Sequence, residues 1–100
     1  MAANLEGGSM LRVKVETVRP GMHPSEVIVA VTTADGSKEG LIVDRRSLRS
    51  NSVRIGYPVG GDDQNNLLVE LPRETFRGER RVWVSGDSLI PDEAAGPFLL

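Results

Sequence analysis

The stretch Glu26 to Asp44, EVIVAVTTADGSKEGLIVD, decides the fold. Val27, Val29, Val31 and Thr33 alternate with Ile28, Ala30 and Thr32, so both faces of the outbound limb are apolar or β-branched. That pattern fits a strand packed on two sides or lying at the seam of a closed barrel. The return limb sets Leu41 and Val43 on one face and Ile42 on the other. Between the limbs, Ala34-Asp35-Gly36-Ser37 supplies the reversal: an Asp side chain bonds its own downstream backbone, and Gly accepts the positive φ of a tight hairpin. A β-hairpin follows, and its neighbours are cut to the same pattern.

Upstream, Leu11 to Val18 alternates Leu11, Val13 and Val15 with Arg12, Lys14 and Glu16, which predicts a half-buried strand with a solvated charged face. The connection from Arg19 to Ser25 holds Pro20, Gly21 and Pro24 and continues neither strand nor helix. Downstream, Arg45 to Asn51 reads as a loop with one 3₁₀ turn and Leu48 pinned to the core. Ser52 to Tyr57 is predicted as a strand with Val53, Ile55 and Tyr57 on one side. Pro58 to Asn66 reads as an exposed polar loop, Leu67 to Leu71 as a strand stopped by Pro72, and Arg73 to Glu79 as a turn. Arg80 to Ser85 is the last strong strand, followed by a Gly86-Asp87 turn and a short closing strand at Ser88-Leu89-Ile90. No segment of helical length carries a 3.6-residue period.

Strands of four to eight residues with turns between them predict an all-β domain, Met10 to Ile90. Its expected form is a small, strongly curved antiparallel barrel of five or six strands, SH3-like first and OB-like second, because closure removes exposed edges. Residues 1–9 read as a flexible leader or cloning-derived segment, and residues 91–100 as a flexible tail ending in the apolar Phe98-Leu99-Leu100.

The chain has 100 residues, a formal charge of −2 and no cysteine, so a disulfide framework, a thiol nucleophile and a Cys-ligated metal site are excluded together. The net charge argues against a general polyanion binder while leaving room for a local basic face. Met1 to Met10 lacks the pattern of a secretory signal and no apolar run reaches membrane-spanning length, so the expected location is the cytoplasm, with no membrane partner.

No catalytic signature is present: no G-x-S-x-G elbow, phosphate-binding loop or H-E-x-x-H pair. The lone histidine, His23, reads as a surface loop residue with no nucleophile or carboxylate supplied by any motif. Gly60-Gly61-Asp62-Asp63 has neither the lysine of a phosphate loop nor the ligand spacing of a calcium loop, and reads as a solvated hairpin loop. The expectation is a non-enzyme without metal or cofactor.

Two features point to binding. Arg45, Arg46, Arg49 and Arg54 fall within ten residues that contain no carboxylate, and clustered guanidinium groups grip phosphate or carboxylate in bidentate fashion. Trp83 stands out of phase with Val82 and Val84 and, with Tyr57 and Phe76, offers aromatic surface of the kind that builds peptide grooves or stacks on bases. The binding residues expected are therefore Arg45, Arg46, Arg49, Arg54, Tyr57 and Trp83. The leading expectation is a module for protein–protein interaction or self-association, acting through a strand edge or the Trp83 face. The second is a nucleic-acid-binding barrel that joins the arginines to an aromatic platform, and a small-ligand carrier or enzyme comes last.

Overall fold

The computed structural model describes residues 11–92, so the leader and the Phe98-Leu99-Leu100 tail lie outside the described residues. The domain is all-β. Its strands are β1 (Leu11–Lys14), β2 (Glu16–Pro20), β3 (Glu26–Thr32), β4 (Lys38–Asp44), β5 (Ser52–Ile55), β6 (Gly60–Gly61), β7 (Asn66–Glu70), β8 (Arg81–Ser85) and β9 (Leu89–Pro91). They hydrogen-bond into three antiparallel sheets of three strands, β5-β1-β9, β2-β3-β4 and β6-β7-β8. The ladders therefore do not run on as one ring of five or six strands, and strand edges remain.

The central hairpin forms in the expected register, from Glu26 opposite Asp44 to Thr32 opposite Lys38. Its reversal is built as the sequence dictates. Asp35 accepts from the Thr33 hydroxyl (2.6 Å) and the Ser37 backbone N–H (3.0 Å), and Gly36 takes φ +90°. Val27, Val29 and Val31 face the core, while Ile28 and Ile42 on the opposite face are only half-buried. Over that face lies Phe76, whose N–H donates to Gly40 O (2.8 Å) and whose ring would sit 3.0 Å from a Cβ at Gly40. Gly40 is thus the one position of the strand where a bare backbone is required.

The stretch 11–18 is not one strand. Val15 leaves the ladder and donates its N–H to Asn51 O (2.9 Å), after which β2 turns onto β3 with a bulge between Thr17 and Arg19. One segment thereby serves two sheets: β1 sits between β5 and β9, and β2 forms an edge strand whose residues are all exposed. Edge β2 carries Glu16, Arg19 and Pro20, residues that discourage further pairing.

All three sheets contribute to one core, with Val13, Val29, Val31, Leu41, Val53, Val69 and Val84 among its buried side chains, and Leu48 packs against it as expected. Every member is aliphatic. Each such burial is worth roughly 1.5–3 kcal/mol before the entropy of ordering is set against it. Trp83, Tyr57 and Phe76 all lie outside the core with large exposed surfaces. Tyr57 does not continue the inward face of Val53 and Ile55, because β5 ends at Ile55.

Candidate functional site

Two concave surfaces carry the chemistry. The first is built around Arg12, which the alternation assigned to a solvated face and which is only 5% exposed. Its Nε donates to Ser52 Oγ (2.8 Å), and its Nη2 donates to Ser47 O (2.7 Å) and Ser52 O (3.0 Å). Nη1 lies 3.8 Å from Asp92 Oδ1, whose partner oxygen accepts from Arg54 Nε at 2.6 Å. Arg12 and Arg54 are cross-strand partners on β1 and β5, so their side chains share a face, and Asp92 follows β9 on the other side of β1. The buried carboxylate thus ties the closing strand to both arginines.

The loop from Asp44 to Ser52 folds over this pair. Asp44 caps a 3₁₀ turn at Arg45–Ser47 by accepting from the Arg46 N–H, and it also holds the Arg46 guanidinium at 3.3 Å. Arg49 and Ser52 exchange backbone hydrogen bonds (3.1 and 3.0 Å) around Ser50 and Asn51, both left-handed at φ +52° and +57°. This is the reversal of a type I′ turn, which asks for positive φ at both central positions. The result is a cleft of about 280 Å³ lined by Arg12, Arg46, Ser47, Arg49 and Arg54. Burial draws the Arg12 guanidinium below the ordinary arginine value; Asp92 opposes this, and repulsion from Arg49 and Arg54 adds to it.

Three of the four arginines expected to cluster, Arg46, Arg49 and Arg54, therefore meet in one cleft. Arg45 does not join them: its side chain turns back to the carbonyl oxygens of Pro24 and Glu26. Arg12 was missed because a lone arginine in an alternating strand gives no sign of a carboxylate waiting far along the chain.

The second surface is an open groove of about 980 Å³ beside Trp83. It runs along β8, the edge strand of its sheet, and is bordered by the hairpin tip and Glu39 of β4. Leu71 donates to Arg80 O and Gly86 to Asn65 O, which fixes the alternation of the β7–β8 ladder: Val82 and Val84 bond β7, while the N–H and C=O groups of Arg81, Trp83 and Ser85 point outward. One outward group is taken, since Trp83 O accepts from Ala34 N–H (2.8 Å) at the hairpin tip. The N–H groups of Arg81 and Trp83 have no partner among the described residues. The groove walls carry Asp35, Glu39, Glu70 and Glu79 against Arg77, Arg80 and Arg81, nearly balanced in charge. Glu39, 6% exposed, is paired with Arg77 at 3.4 Å.

Trp83 and the arginine cleft thus lie on different concave surfaces, and Tyr57 lines neither. His23 is exposed, with Nδ1 2.8 Å from Ser25 Oγ two residues on, and no carboxylate among the described residues orients it. In the 58–66 loop, Gly60 and Gly61 pair with Leu68 and Leu67, and Asp62 accepts from the Gln64 and Asn66 N–H groups, so this carboxylate holds a turn. Among the described residues no three His, Cys, Asp or Glu side chains gather as metal ligands, and no helix is long and apolar enough to cross a membrane. Comparison of the chain with known protein families, characterised proteins and solved structures returns no match, so its functional reading rests on the chemistry of these two surfaces.

Proposed function

We propose that the domain is a non-catalytic protein-interaction module that takes an extended segment of a partner protein along the outer edge of β8, beside Trp83. The observation that carries this reading is the unpaired outward N–H groups of Arg81 and Trp83, which face an open groove. An added strand gains main-chain hydrogen bonds at such an edge, and alternate side chains find pockets along it. Trp83, 40% exposed, is positioned to cover the incoming segment with apolar area at little entropic cost. The near-balanced charge of the groove suits a peptide better than a polyanion, which favours this reading over nucleic-acid binding. We also propose that the three sheets wrap their shared core as an SH3-like barrel, a reading supported by the contribution of all three to one aliphatic core.

Selection from a random peptide display library, followed by titration into the ¹⁵N-labelled domain, tests it. Enriched peptides are expected to move the amide resonances of Arg81 and Trp83 and to protect them from exchange. Arg81→Pro removes one outward donor while leaving the β7 ladder intact, because that N–H points away from β7. It is expected to abolish peptide binding with the fold retained. Peptides that bind the Arg81→Pro variant and the wild type equally well would refute the reading. Reciprocal protection of β8 in a concentration-dependent dimer would assign the edge to a second copy of the chain.

A further inference from the structure

The arginine cleft carries a binding site independent of the β8 groove. The geometry points to recognition of one phosphate monoester group by Arg12, Arg46, Arg49 and Arg54. Among the described residues four guanidinium groups meet there, and two carboxylates oppose them, Asp92 on Arg12 and Arg54 and Asp44 on Arg46. Four positive charges against two negative leave a surplus of two. A phosphate monoester carries about −1.5 to −2 at neutral pH, which matches that surplus.

The donors are arranged unequally. Arg12 is locked in place at the base by three hydrogen bonds, Arg54 is held through Nε, and the Arg49 side chain has no hydrogen-bond or ion-pair partner among the described residues. A fixed, buried guanidinium beside a free one is a preorganised site with one arm left to close on the anion. Arg12 and the Arg49–Ser52 turn are also mechanically joined, since Ser52 bonds Arg12 through Oγ and O and donates Oγ–H to Arg49 O (2.6 Å). Ser50, a non-glycine residue at positive φ, is held in a conformation that side chains rarely adopt, and such positions are retained where the surroundings over-determine them. The size of the cleft, about 280 Å³, admits one phosphoryl group with a small substituent rather than a nucleic-acid backbone.

Phenyl phosphate, phenyl sulfate and a single-stranded oligothymidine, titrated separately into the ¹⁵N-labelled full chain at low salt, test the assignment. Phenyl phosphate is expected to give saturable 1:1 shifts of the Arg46, Arg49, Ser52 and Arg54 amides while Arg81 and Trp83 stay unmoved. Phenyl sulfate, with one charge fewer, is expected to bind roughly tenfold more weakly. Affinity for the phosphate should fall below about pH 6, where the dianion takes up a proton and loses one charge. Arg49→Gln, at a side chain that holds no other described group, should weaken binding roughly tenfold with the far-UV spectrum unchanged, and Arg49→Lys should restore only part of it. A phosphoserine peptide run beside inorganic phosphate identifies the source. Tighter binding of the peptide assigns a partner's modified side chain, and equal binding assigns a free ion or small metabolite. No saturable shift at millimolar phenyl phosphate, equal affinity for the sulfate, or an unaffected Arg49→Gln variant would overturn the proposal. So would oligothymidine binding with a salt dependence of several phosphates.

Discussion

Arg12→Met is the substitution that bears hardest on how this domain is held together. It keeps an unbranched apolar stem in the same space and removes a buried guanidinium. Three donated hydrogen bonds are lost, at 2.7, 2.8 and 3.0 Å, together with the contact to Asp92 at 3.8 Å. Breaking a buried ion pair by deleting one partner typically costs about 3–5 kcal/mol, because the remaining groups stay desolvated without compensation. Two features reduce that here. Asp92 retains Arg54 at 2.6 Å, and the Ser52 hydroxyl retains its bond to Arg49 O. Ser52 O still accepts the Arg49 N–H (3.1 Å), so the orphaned acceptor is the carbonyl oxygen of Ser47, and the expected loss lies at the low end of that range, roughly 3 kcal/mol. For a domain of this size each kcal/mol moves the melting temperature by about 4–8 °C, so a shift of roughly 12–24 °C is expected. Urea unfolding followed by far-UV circular dichroism measures it, with the midpoint shifted and the slope unchanged. Arg54→Met serves as the control. Its guanidinium is half-exposed and it leaves Asp92 with Arg12, so it should cost no more than about 1 kcal/mol. Equal effects of the two substitutions, or a loss below about 1 kcal/mol for Arg12→Met, would show that desolvating Arg12 cancels its bonds.

Gly36→Ala should destabilise by about 1 kcal/mol in urea titrations although nothing lies within 4 Å of the added methyl; a neutral result would mean the hairpin tip relaxes out of φ +90°. Thr75→Val keeps the shape of a residue that is 4% exposed but removes the Oγ1 acceptor of the Arg77 and Glu79 N–H groups. A loss of about 1–2 kcal/mol is expected, with faster amide exchange confined to residues 75–79; unchanged exchange would contradict the assignment. The carboxylates of Asp35, Asp44 and Asp62 are held below the ordinary range, chiefly by hydrogen bonds from Thr33, the Arg46 side chain and the Asn66 backbone respectively. Folded values below unfolded ones mean that their contribution is complete above about pH 4 and drains away as pH falls through each lowered value. The urea midpoint should therefore decline below about pH 4, and Asp62→Asn should flatten that decline; an identical slope in the variant would refute it.

Local chemistry was legible in the sequence wherever neighbours in the chain decided the outcome. The Asp35-Gly36 reversal, the in-facing Val27, Val29 and Val31, the 3₁₀ turn before Leu48 and the outward Trp83 follow from alternation and turn residues alone. What escaped the sequence depended on groups far apart. Alternation places Arg12 outward correctly as a direction, but in this sheet the outward face of β1 is roofed by the 45–52 loop and by Asp92, so direction did not mean exposure. The single strand expected over residues 11–18 splits because Val15 finds Asn51 O, a partner no periodicity can signal. The closed barrel was expected from the cost of exposed edges, whereas the three sheets keep edges and meet that cost in other ways: charge and proline on β2, Phe76 over β4, and one bond from the hairpin tip to β8. The arginine spacing grouped Arg46, Arg49 and Arg54, which share one cleft, whereas their separation from Trp83 depends on which sheets the strands join.

The pairing of β1 with β9 has a consequence in time. Leu11, Arg12 and Val13 belong to the first of the described strands to leave the ribosome, and their partners Pro91, Ile90 and Leu89 belong to the last of them. At about 5–20 residues per second, β1 waits for several seconds with Val13 unburied and the Arg12 guanidinium without its carboxylate. The hairpin and the β7–β8 ladder complete themselves locally during that interval, but the sheet that forms the floor of the arginine cleft does not. The carboxylate that braces Arg12 and Arg54 therefore arrives last, and the cleft is held in its final form only once β9 has paired with β1.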